Sequence, residues 1–273
     1  MEKLRPVLIL QSQFTILNSP YSIMLLAVDI GNTNIKFGVY DGETLIAKLS
    51  VPTIRDLSAA GLAKVIGSRV THNISAAIVS SVVPEVDAAM REFINATFGI
   101  APVFVANDSD MGLTIKYEPL TDAGSDRLVN TFSAVQKYGA PCIVCSFGTA
   151  LTVDYVNKYN VLIGGLIAPG MNTLAKALKI TTSKLPEVAI EKPDAVIQNT
   201  TVGSIQSGIV YGYFGLVEDL LTRVRKEMGD NAQVIATGGF AALIAENTTQ
   251  INAVDENLLL DGLQRLHTRL SAL

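Results

Sequence analysis

The sequence predicts an α/β protein made of two similar halves. Apolar strand segments alternate with amphipathic helical segments over most of the chain, which is the pattern of an α/β fold. A strand–turn–strand pattern near residue 30 returns near residue 147, although a repeat this short can also arise by accident. The 273 residues suffice for two modest domains, and 49% apolar against 17% charged residues favour a large core and an oligomeric interface.

The first half opens with a predicted β-meander and continues as alternating helices and strands. Its strand segments are rich in aliphatic and β-branched residues, and its helical segments carry apolar residues at helical spacing. The predicted strands cover 25–28, 35–39, 44–50, 76–83 and 103–105, and the predicted helices cover 57–69, 86–98 and 127–137.

The second half begins as the first does, because 143–154 again reads as strand, glycine turn and strand. Next come predicted turns at 164–165 and 169–170, helices over 173–178 and 204–228, a strand over 233–236, a helix-opening turn at 237–240 and a helix over 258–270. We therefore predict an extension over 1–23 and domains over 24–138 and 139–273. Duplicated domains of this kind would place one phosphate turn on each wall of a cleft.

The turn between the first two strands has the chemistry of a phosphate-binding turn. Asp29 lies at its mouth, and Gly31 lets main-chain N–H groups approach a phosphate closely. A carboxylate in this place can hold Mg²⁺, directly or through water. The alternative is a tight hairpin in which Asp29 only accepts hydrogen bonds from its own turn.

A second acidic position opens the helix predicted near residue 127. Gly124 permits close approach of the main chain, Ser125 is a candidate helix cap, and Asp126 falls in the first turn, where the helix dipole favours an ionised carboxylate. Such a carboxylate can accept a proton from an alcohol that attacks a γ-phosphate. An ordinary helix start is an equally good interpretation of these residues alone.

Charge and hydropathy disfavour two classes of protein. The net charge is −4, and no cluster of Lys and Arg is interleaved with aromatic residues, so nucleic-acid binding is not expected. No window reaches the roughly 18 uncharged apolar residues of a membrane helix. Residues 1–23 contain no small-residue cleavage site, so we expect a cytoplasmic protein, and translation from Met24 is a hypothesis.

Cysteine and histidine give no sign of a metal centre. Cys142 and Cys145 form a C-x-x-C pattern inside an apolar run that reads as a strand. Residues three apart in a strand face opposite sides of the sheet, so we interpret both cysteines as buried structural residues. His72 and His267 are the two histidines, and they are too isolated for a histidine-based metal site.

Several motifs in a fixed order resemble those of the type III pantothenate kinases, within the superfamily of acetate kinase, the sugar kinases and actin. The resemblance runs from Met24 nearly to the C-terminus. The motifs are DIGNTN (29–34), SSVVP (80–84), GSDR (124–127), FGTALTVD (147–154), GGLIAPG (164–170), QSGIVYGY (206–213) and VIATGGFA (234–241). This resemblance implies two ribonuclease H-like domains, the actin-like ATPase fold, related by an internal duplication.

The resemblance also implies an activity, which is transfer of the ATP γ-phosphate to the primary hydroxyl of pantothenate, the first step of coenzyme A biosynthesis. It implies that Asp126 is the general base and that Asp29 lies near Mg²⁺. The implied ATP-binding residues are Asp29, Ile30, Gly31, Asn32, Thr33, Asn34, Ile35, Lys36 and Thr149, and 237–239 match the adenosine segment. The implied substrate-binding residues are Tyr117, Gly124, Ser125, Asp126, Arg127 and Thr201. Members of the family are homodimers whose pantothenate pocket includes residues of the facing subunit.

One position departs from the family pattern. The family usually has an Asp that binds a monovalent cation, K⁺ or NH₄⁺, where this chain has Ser146. A serine hydroxyl is neutral, so a cation there would lose its main charge partner. We therefore expect weak or absent K⁺ activation.

Two alternatives to a pantothenate kinase stay open at this point. Ser146 is compatible with a catalytically weak relative that acts as a binding or regulatory protein, although Asp29 and Asp126 speak against it. A kinase of the same fold for another small-molecule acceptor is the second alternative. The positions of Tyr117 and Thr201 disfavour it, because they match the pantothenate side of the family's site.

Overall fold

The computed structural model describes residues 23–67, 69–70 and 72–272. The predicted extension and the hypothesis of a start at Met24 therefore concern residues that lie almost wholly outside the described part. Among the described residues, no helix combines the length and apolar character needed to cross a membrane.

The first compact unit comprises the described residues up to 105 together with 263–272. Its sheet has the strand order β3-β2-β1-β4-β5, with β1 antiparallel to β2 and parallel to β4. Its elements are β1 (Met24–Ile30), β2 (Asn34–Asp41), β3 (Thr44–Pro52), α1 (Ala59–Ile66), β4 (Ala76–Ser81), α2 (Pro84–Phe98) and β5 (Val103–Phe104).

A single apolar core supports this first sheet. Alternate residues of β1, among them Leu26 and Val28, pack with Phe37 of β2. The buried stripe of α2 contains Val86 and Met90, four residues apart, so one face of the helix meets the sheet.

The second compact unit comprises residues 106–262. Its sheet has the strand order β11-β10-β7-β8-β9-β6. Its elements are β6 (Thr114–Ile115), a 3₁₀ helix (Leu120–Asp122), α3 (Ser125–Tyr138), β7 (Cys142–Phe147), β8 (Ala150–Val156), β9 (Val161–Pro169), α4 (Met171–Thr181), α5 (Thr201–Met228), β10 (Gln233–Thr237), α6 (Ala241–Ala245) and β11 (Ala253–Val254). A final helix, α7 (Leu258–Ser271), begins in this unit and is assigned to the first unit from residue 263.

The two faces of the second sheet differ in character. Cys145, Phe147 and Val153 face a large apolar core that includes a stripe of α5, from Ile205 to Leu221. Residues of the other parity, such as Asp154, lie on the face that packs against α3. This second face carries charged groups, and it is the one that matters for the site.

The predicted duplication is visible in the topology of the two sheets. Five strands of the second sheet, β9-β8-β7-β10-β11, repeat the order and directions of β3-β2-β1-β4-β5. Both copies also shift register by one residue at the same place, between Val39 and Tyr40 and between Tyr155 and Val156. The predicted fold class of two ribonuclease H-like domains is therefore confirmed.

The compact units do not coincide with the predicted domains. Compactness assigns α3 to the second unit and most of α7 to the first, whereas the prediction divides the chain between 138 and 139. The predicted boundary describes halves of a duplication, which compactness does not test, so it stays a prediction.

One predicted turn is wrong. Gly164 and Gly165 were expected to form a turn, but both lie inside β9 and pair with β8. A side chain at Gly165 would place its Cβ within 2.3 Å of the carbonyl oxygen of Val153. Glycine is needed there for close approach within the sheet, which sequence alone does not separate from turn chemistry.

We predict that Gly262→Ala lowers the stability of the protein, by about 1–3 kcal/mol, because the added methyl overpacks the contact of α7 with α3. Its Cβ would lie 2.8 Å from a methyl of Val129 and 2.9 Å from Cβ of Ser133. Thermal and urea denaturation measure the effect. Gly215→Ala is the matched control, because a Cβ there meets open space. Equal stability of the two variants would contradict the prediction.

Candidate active site

The first phosphate turn is held in place by the end of β3. The amide of Gly31 donates to the carbonyl of Asn34 at 3.1 Å, which closes the turn. The Thr53 hydroxyl donates to the Gly31 carbonyl at 2.6 Å, and the Thr53 amide donates to the Thr33 carbonyl at 2.9 Å. The exposed residues 32–34 are therefore presented by a turn that is tied at both ends.

Asp29 provides the acidic group of this turn. Its side chain is 7% exposed, and Lys36 lies directly opposite on β2, with Nζ 3.5 Å from Oδ2. One carboxylate beside an exposed turn fits Mg²⁺, which proteins bind through one or two carboxylates together with phosphate and water oxygens. Among the described residues, no group of three or more His, Cys, Asp or Glu could form an all-protein metal cage.

An arginine outside the predicted motifs reaches the same turn. Arg55 donates to Oε1 of Glu85 at 2.5 Å and to Oδ1 of Asn32 at 3.1 Å. A main-chain hydrogen bond at the start of α2, together with Arg55, holds the pKa of Glu85 below its usual value. Arg55 and Glu85 are exposed, so this pair orders the edge of the turn and contributes little to stability.

The second phosphate turn repeats the anchoring of the first. The Gly148 amide donates to the Ala150 carbonyl, and the Gly170 amide donates to the Thr149 carbonyl, both at 3.0 Å. Thr173 also donates to the Thr149 carbonyl, at 2.5 Å. Gly170 has no room for a side chain, because its Cβ would lie 2.2 Å from the carbonyl oxygen of Gly148.

The segment that the resemblance assigns to adenosine, 237–239, lies next to the strand that leads into this second turn. β10 runs parallel to β7 and pairs Thr237 with Ser146, so 238–239 follow at the same edge of the sheet. Gly238 has φ +97°, and a Cβ there would lie 2.5 Å from the carbonyl oxygen of Phe147. Only glycine permits this conformation and this approach.

Asp126 lies in the first turn of α3, as predicted, but Ser125 is not the cap. The N-cap position is Gly124, which offers no side-chain hydrogen bond, and Ser125 is a buried first residue of the helix. Asp126 is partly exposed, and its Oδ1 accepts from the Arg127 amide at 2.8 Å. Its carboxylate is therefore placed at the positive end of the helix dipole.

The most constrained part of the site is the guanidinium of Arg127. Nε lies 3.2 Å from each oxygen of Asp154, and Nη2 lies 2.5 Å from Oδ1. Nη1 donates to the Tyr117 hydroxyl at 3.1 Å, and the guanidinium lies 5.0 Å from the centroid of the Tyr117 ring. Arg127 and Asp154 are 7% and 2% exposed, so this ion pair is buried.

For each residue of this ion pair, burial and hydrogen bonding to the partner shift the pKa in opposite directions. Burial disfavours the charge of Arg127, but the hydrogen bonds that its guanidinium donates to Asp154 and Tyr117 outweigh burial and raise the pKa of Arg127 above its usual value. Burial raises the pKa of Asp154, which Arg127 opposes. The short contact of Nη2 with Oδ1 is that of an ionised pair.

Ser146 lies at the end of β7, half-buried and opposite Thr152. Asp154 lies on the same face of the sheet, two residues beyond Thr152, but both of its oxygens are engaged by Arg127. The structure thus places no second carboxylate of β7 or β8 at Ser146, and the weak response to K⁺ stays a prediction.

Thr201 lies apart from the other substrate residues predicted in this unit. It begins α5, is exposed, and lines an open groove of about 1070 Å³ between α4 and α5. Within the described part of the chain, this lining includes none of Tyr117, Asp126 and Arg127. Sequence analysis did not predict the groove, because it arises from the packing of two helices.

The cysteines behave as structural residues. Both are free and buried, and Cys145 belongs to the large core whereas Cys142 faces the other side of the sheet. Burial raises the pKa of the Cys142 thiol to about 12 and also raises that of Cys145.

The structure thus groups the predicted residues by unit. Residues 29–36 include the turn of the first unit, and in the second unit Thr149 follows β7, whose end pairs with Thr237 and contacts Gly238. Tyr117 and Arg127 contact each other next to Asp126. Asp154 was not assigned to the site from sequence, although an acid between Val153 and Tyr155 in an apolar strand signals a buried partner.

Comparisons with known proteins identify the family to which the chain belongs. The family model described as type III pantothenate kinase matches residues 25–223. A type III pantothenate kinase of Geobacter sulfurreducens is 42% identical over 253 residues, covering 90% of this chain and 99% of the relative. One from Paramagnetospirillum magneticum is also 42% identical over 253 residues, covering 90% and 97%.

A solved structure from Campylobacter jejuni, described as a conserved Baf family transcriptional activator, is similar in fold, with a TM-score of 0.56 at 18% identity. The match covers 91% of this chain and 100% of that one. This structural similarity shows only the fold, whereas the family model and the two relatives identify a single family. The chain belongs to the type III pantothenate kinase family.

Proposed function

We propose that this protein transfers the γ-phosphate of ATP to the primary hydroxyl of pantothenate, giving 4'-phosphopantothenate and ADP, the first step of coenzyme A biosynthesis. Membership of the family supports this reaction. The observation that carries it is the position of Asp126, a partly exposed carboxylate in the first turn of α3, next to the Arg127 and Tyr117 pair.

Asp126 is the general base of the proposed reaction. Phosphoryl transfer depends mainly on alignment and on stabilisation of charge, and a base orients the attacking hydroxyl and takes its proton. As the oxygen of pantothenate forms a bond to the γ-phosphorus, the bond to the ADP oxygen breaks, and the hydroxyl proton passes to Asp126. The Arg127 guanidinium and the Tyr117 hydroxyl orient the acceptor beside it.

We assign the nucleotide to the glycine turns that the two units carry. We assign the phosphates to 29–36 and Thr149, and the adenosine to 237–239. Asp29 would hold Mg²⁺, directly or through water, and Lys36, whose Nζ lies 3.5 Å from the Asp29 carboxylate, would add positive charge beside the same turn. When bound, Mg²⁺ neutralises phosphate charge that builds up during transfer.

The protein acts as a homodimer in this proposal, with a second copy on the groove between α4 and α5. Ile180 and Ile197 are 81% and 89% exposed beside this groove, an unfavourable arrangement for a chain on its own. Gly208 and Gly212 of α5 border open space, which allows another helix to approach closely. Thr201 lines the same groove, so it is placed to serve the pocket of the partner.

The reducing conditions of the cytoplasm suit this activity. Both cysteines are unpaired, as is usual for cytoplasmic proteins, and the reaction requires ATP. A catalytically weak relative that acts as a binding or regulatory protein is the second candidate, favoured by Ser146 alone. Asp29 and Asp126 are both present in the sequence, which argues for catalysis.

Asp126→Asn tests the proposed base. We expect a loss of turnover of at least about 100-fold, because the amide cannot accept the proton. The assay follows 4'-phosphopantothenate by mass spectrometry in MgATP and pantothenate, and ADP binding by calorimetry should be unchanged. Asp122→Asn, an exposed acid in the preceding 3₁₀ helix, is the matched control. Equal turnover of Asp126→Asn and wild type would remove Asp126 from the mechanism.

The neutral side chain of Ser146 leads us to predict that turnover depends little on the monovalent cation in the buffer. In potassium, ammonium and sodium buffers of equal ionic strength, turnover should agree within about twofold, because a neutral hydroxyl supplies no fixed charge for a cation. Ser146→Asp should become more active in potassium than in sodium. Strong selective activation of the wild-type protein by K⁺ would refute the prediction.

Gly212→Arg tests the proposed dimer. The wild-type protein should have twice the 29.1 kDa mass of the chain in light-scattering measurements, and the variant should be monomeric with little activity. Glu218→Arg, exposed on α5 outside the lining of the groove, should stay dimeric. A monomeric and active wild-type protein would contradict the proposal.

A further inference from the structure

The buried ion pair of Arg127 and Asp154 involves three secondary-structure elements, whereas an ion pair that only linked a helix to a sheet would involve two. Arg127 comes from α3 and Asp154 from β8, and the opposing residue of β9 is Gly165. A Cβ at Gly165 would lie 2.6 Å from Oδ1 of Asp154 and 2.9 Å from Nη2 of Arg127. The missing side chain therefore provides the space in which the pair sits.

The pair is costly as a purely structural device. Removing two charges from water is expensive, and replacing a buried ion pair by apolar residues is often neutral or stabilising. Stability alone therefore does not explain why this one is present. A defined position of the guanidinium is a better explanation, because three of its contacts to Asp154 fix both its orientation and its distance from α3.

The orientation that Asp154 imposes also determines which contact the third guanidinium nitrogen, Nη1, can make. With Nε and Nη2 turned to Asp154, Nη1 is left to contact the Tyr117 hydroxyl. The neighbouring carboxylate in sequence, Asp126, lies on the same turn of α3. Without Asp154, the buried cation would need another anion, and Asp126 is the nearest carboxylate along the chain.

We propose that Asp154 is a positioning residue for the phosphoryl acceptor, because it holds Arg127 against Tyr117 and keeps the guanidinium from pairing with Asp126. The inference rests on the proposed function, since Arg127, Tyr117 and Asp126 are its acceptor-side residues. Asp154 itself does not touch the substrate and acts through Arg127. Gly165 is part of the same arrangement, because it leaves room for both side chains.

Asp154→Asn tests this role, because it keeps the shape of the side chain and removes its charge. We expect KM for pantothenate to rise at least about tenfold, since a buried charged group loses its partner, and turnover to fall as Arg127 moves toward Asp126. KM for ATP and the affinity for ADP should change less than about threefold. Gly165→Ala crowds the pair without altering its charges, and it also crowds the Val153 carbonyl, so it is assayed at a temperature at which its melting curve shows it folded. It should also raise KM for pantothenate and leave KM for ATP nearly unchanged.

Asp255→Asn is the matched control. Asp255 is also buried and paired, with Lys137 at 2.5 Å, but Lys137 lies eleven residues beyond Asp126 on α3, about 16 Å along the helix. Loss of the Asp255 charge should reduce the melting temperature, and it should not raise KM for pantothenate selectively over KM for ATP. A selective rise in this control would mean that the Asp154 effect is one of general stability, and would overturn the inference.

The outcomes also separate this inference from the proposed function. A wild-type protein that forms no 4'-phosphopantothenate defeats the proposed function and with it the inference. An active wild-type protein whose Asp154→Asn and Gly165→Ala variants keep KM for pantothenate within about twofold defeats only the inference. Melting curves with and without ADP establish that each variant is folded.

Discussion

The ion pair of Arg127 and Asp154 is the constraint on which the acceptor side of this site depends. Two opposite charges, each less than 10% exposed, are stable in the interior only when their geometry is close to ideal. That requirement fixes the start of α3 against β8, excludes a side chain at Gly165 and directs Nη1 to Tyr117. Asp126, one residue away, is positioned as a consequence.

The duplication shows how one fold supplies two different turns. In both copies the third strand, β3 or β9, ends in a proline, Pro52 or Pro169, and the next residue donates its amide to a carbonyl of the turn. The copies diverge four residues further along the same strand pair. The first copy pairs Gly38 with Lys48, whereas the second pairs Asp154 with Gly165, so the buried acid and the space for it are found at equivalent positions of the second copy alone.

The first strands of the two copies, β1 and β7, also differ near their ends, where one has a carboxylate and the other a hydroxyl. Asp29 and Ser146 occupy equivalent positions, two residues before Gly31 and Gly148. The first copy thus keeps a carboxylate at its turn, suited to a divalent cation between phosphates. The second copy has its buried carboxylate farther along β8, four residues or about 13 Å from the turn by strand rise, where it pairs with Arg127.

Sequence predicted the parts of the structure that depend on local patterns. The β1–β2 turn, the apolar stripe of α2 and the position of Asp126 follow from periodicity and turn chemistry. Local patterns did not predict the strand through Gly164 and Gly165 or the role of Asp154, because these depend on pairing with β8 and with Arg127, which are distant in sequence. They also did not predict the N-cap at Gly124. The groove beside Thr201 likewise depends on how α4 packs on α5.

A crystal structure with Mg²⁺, a non-hydrolysable ATP analogue and pantothenate is the most direct test of the central claim. The account predicts that the primary hydroxyl of pantothenate lies within hydrogen-bonding distance of the Asp126 carboxylate, with Arg127 still paired to Asp154 and Tyr117 against the ligand. Pantothenate bound away from Asp126, or Arg127 released from Asp154 in the complex, would contradict it.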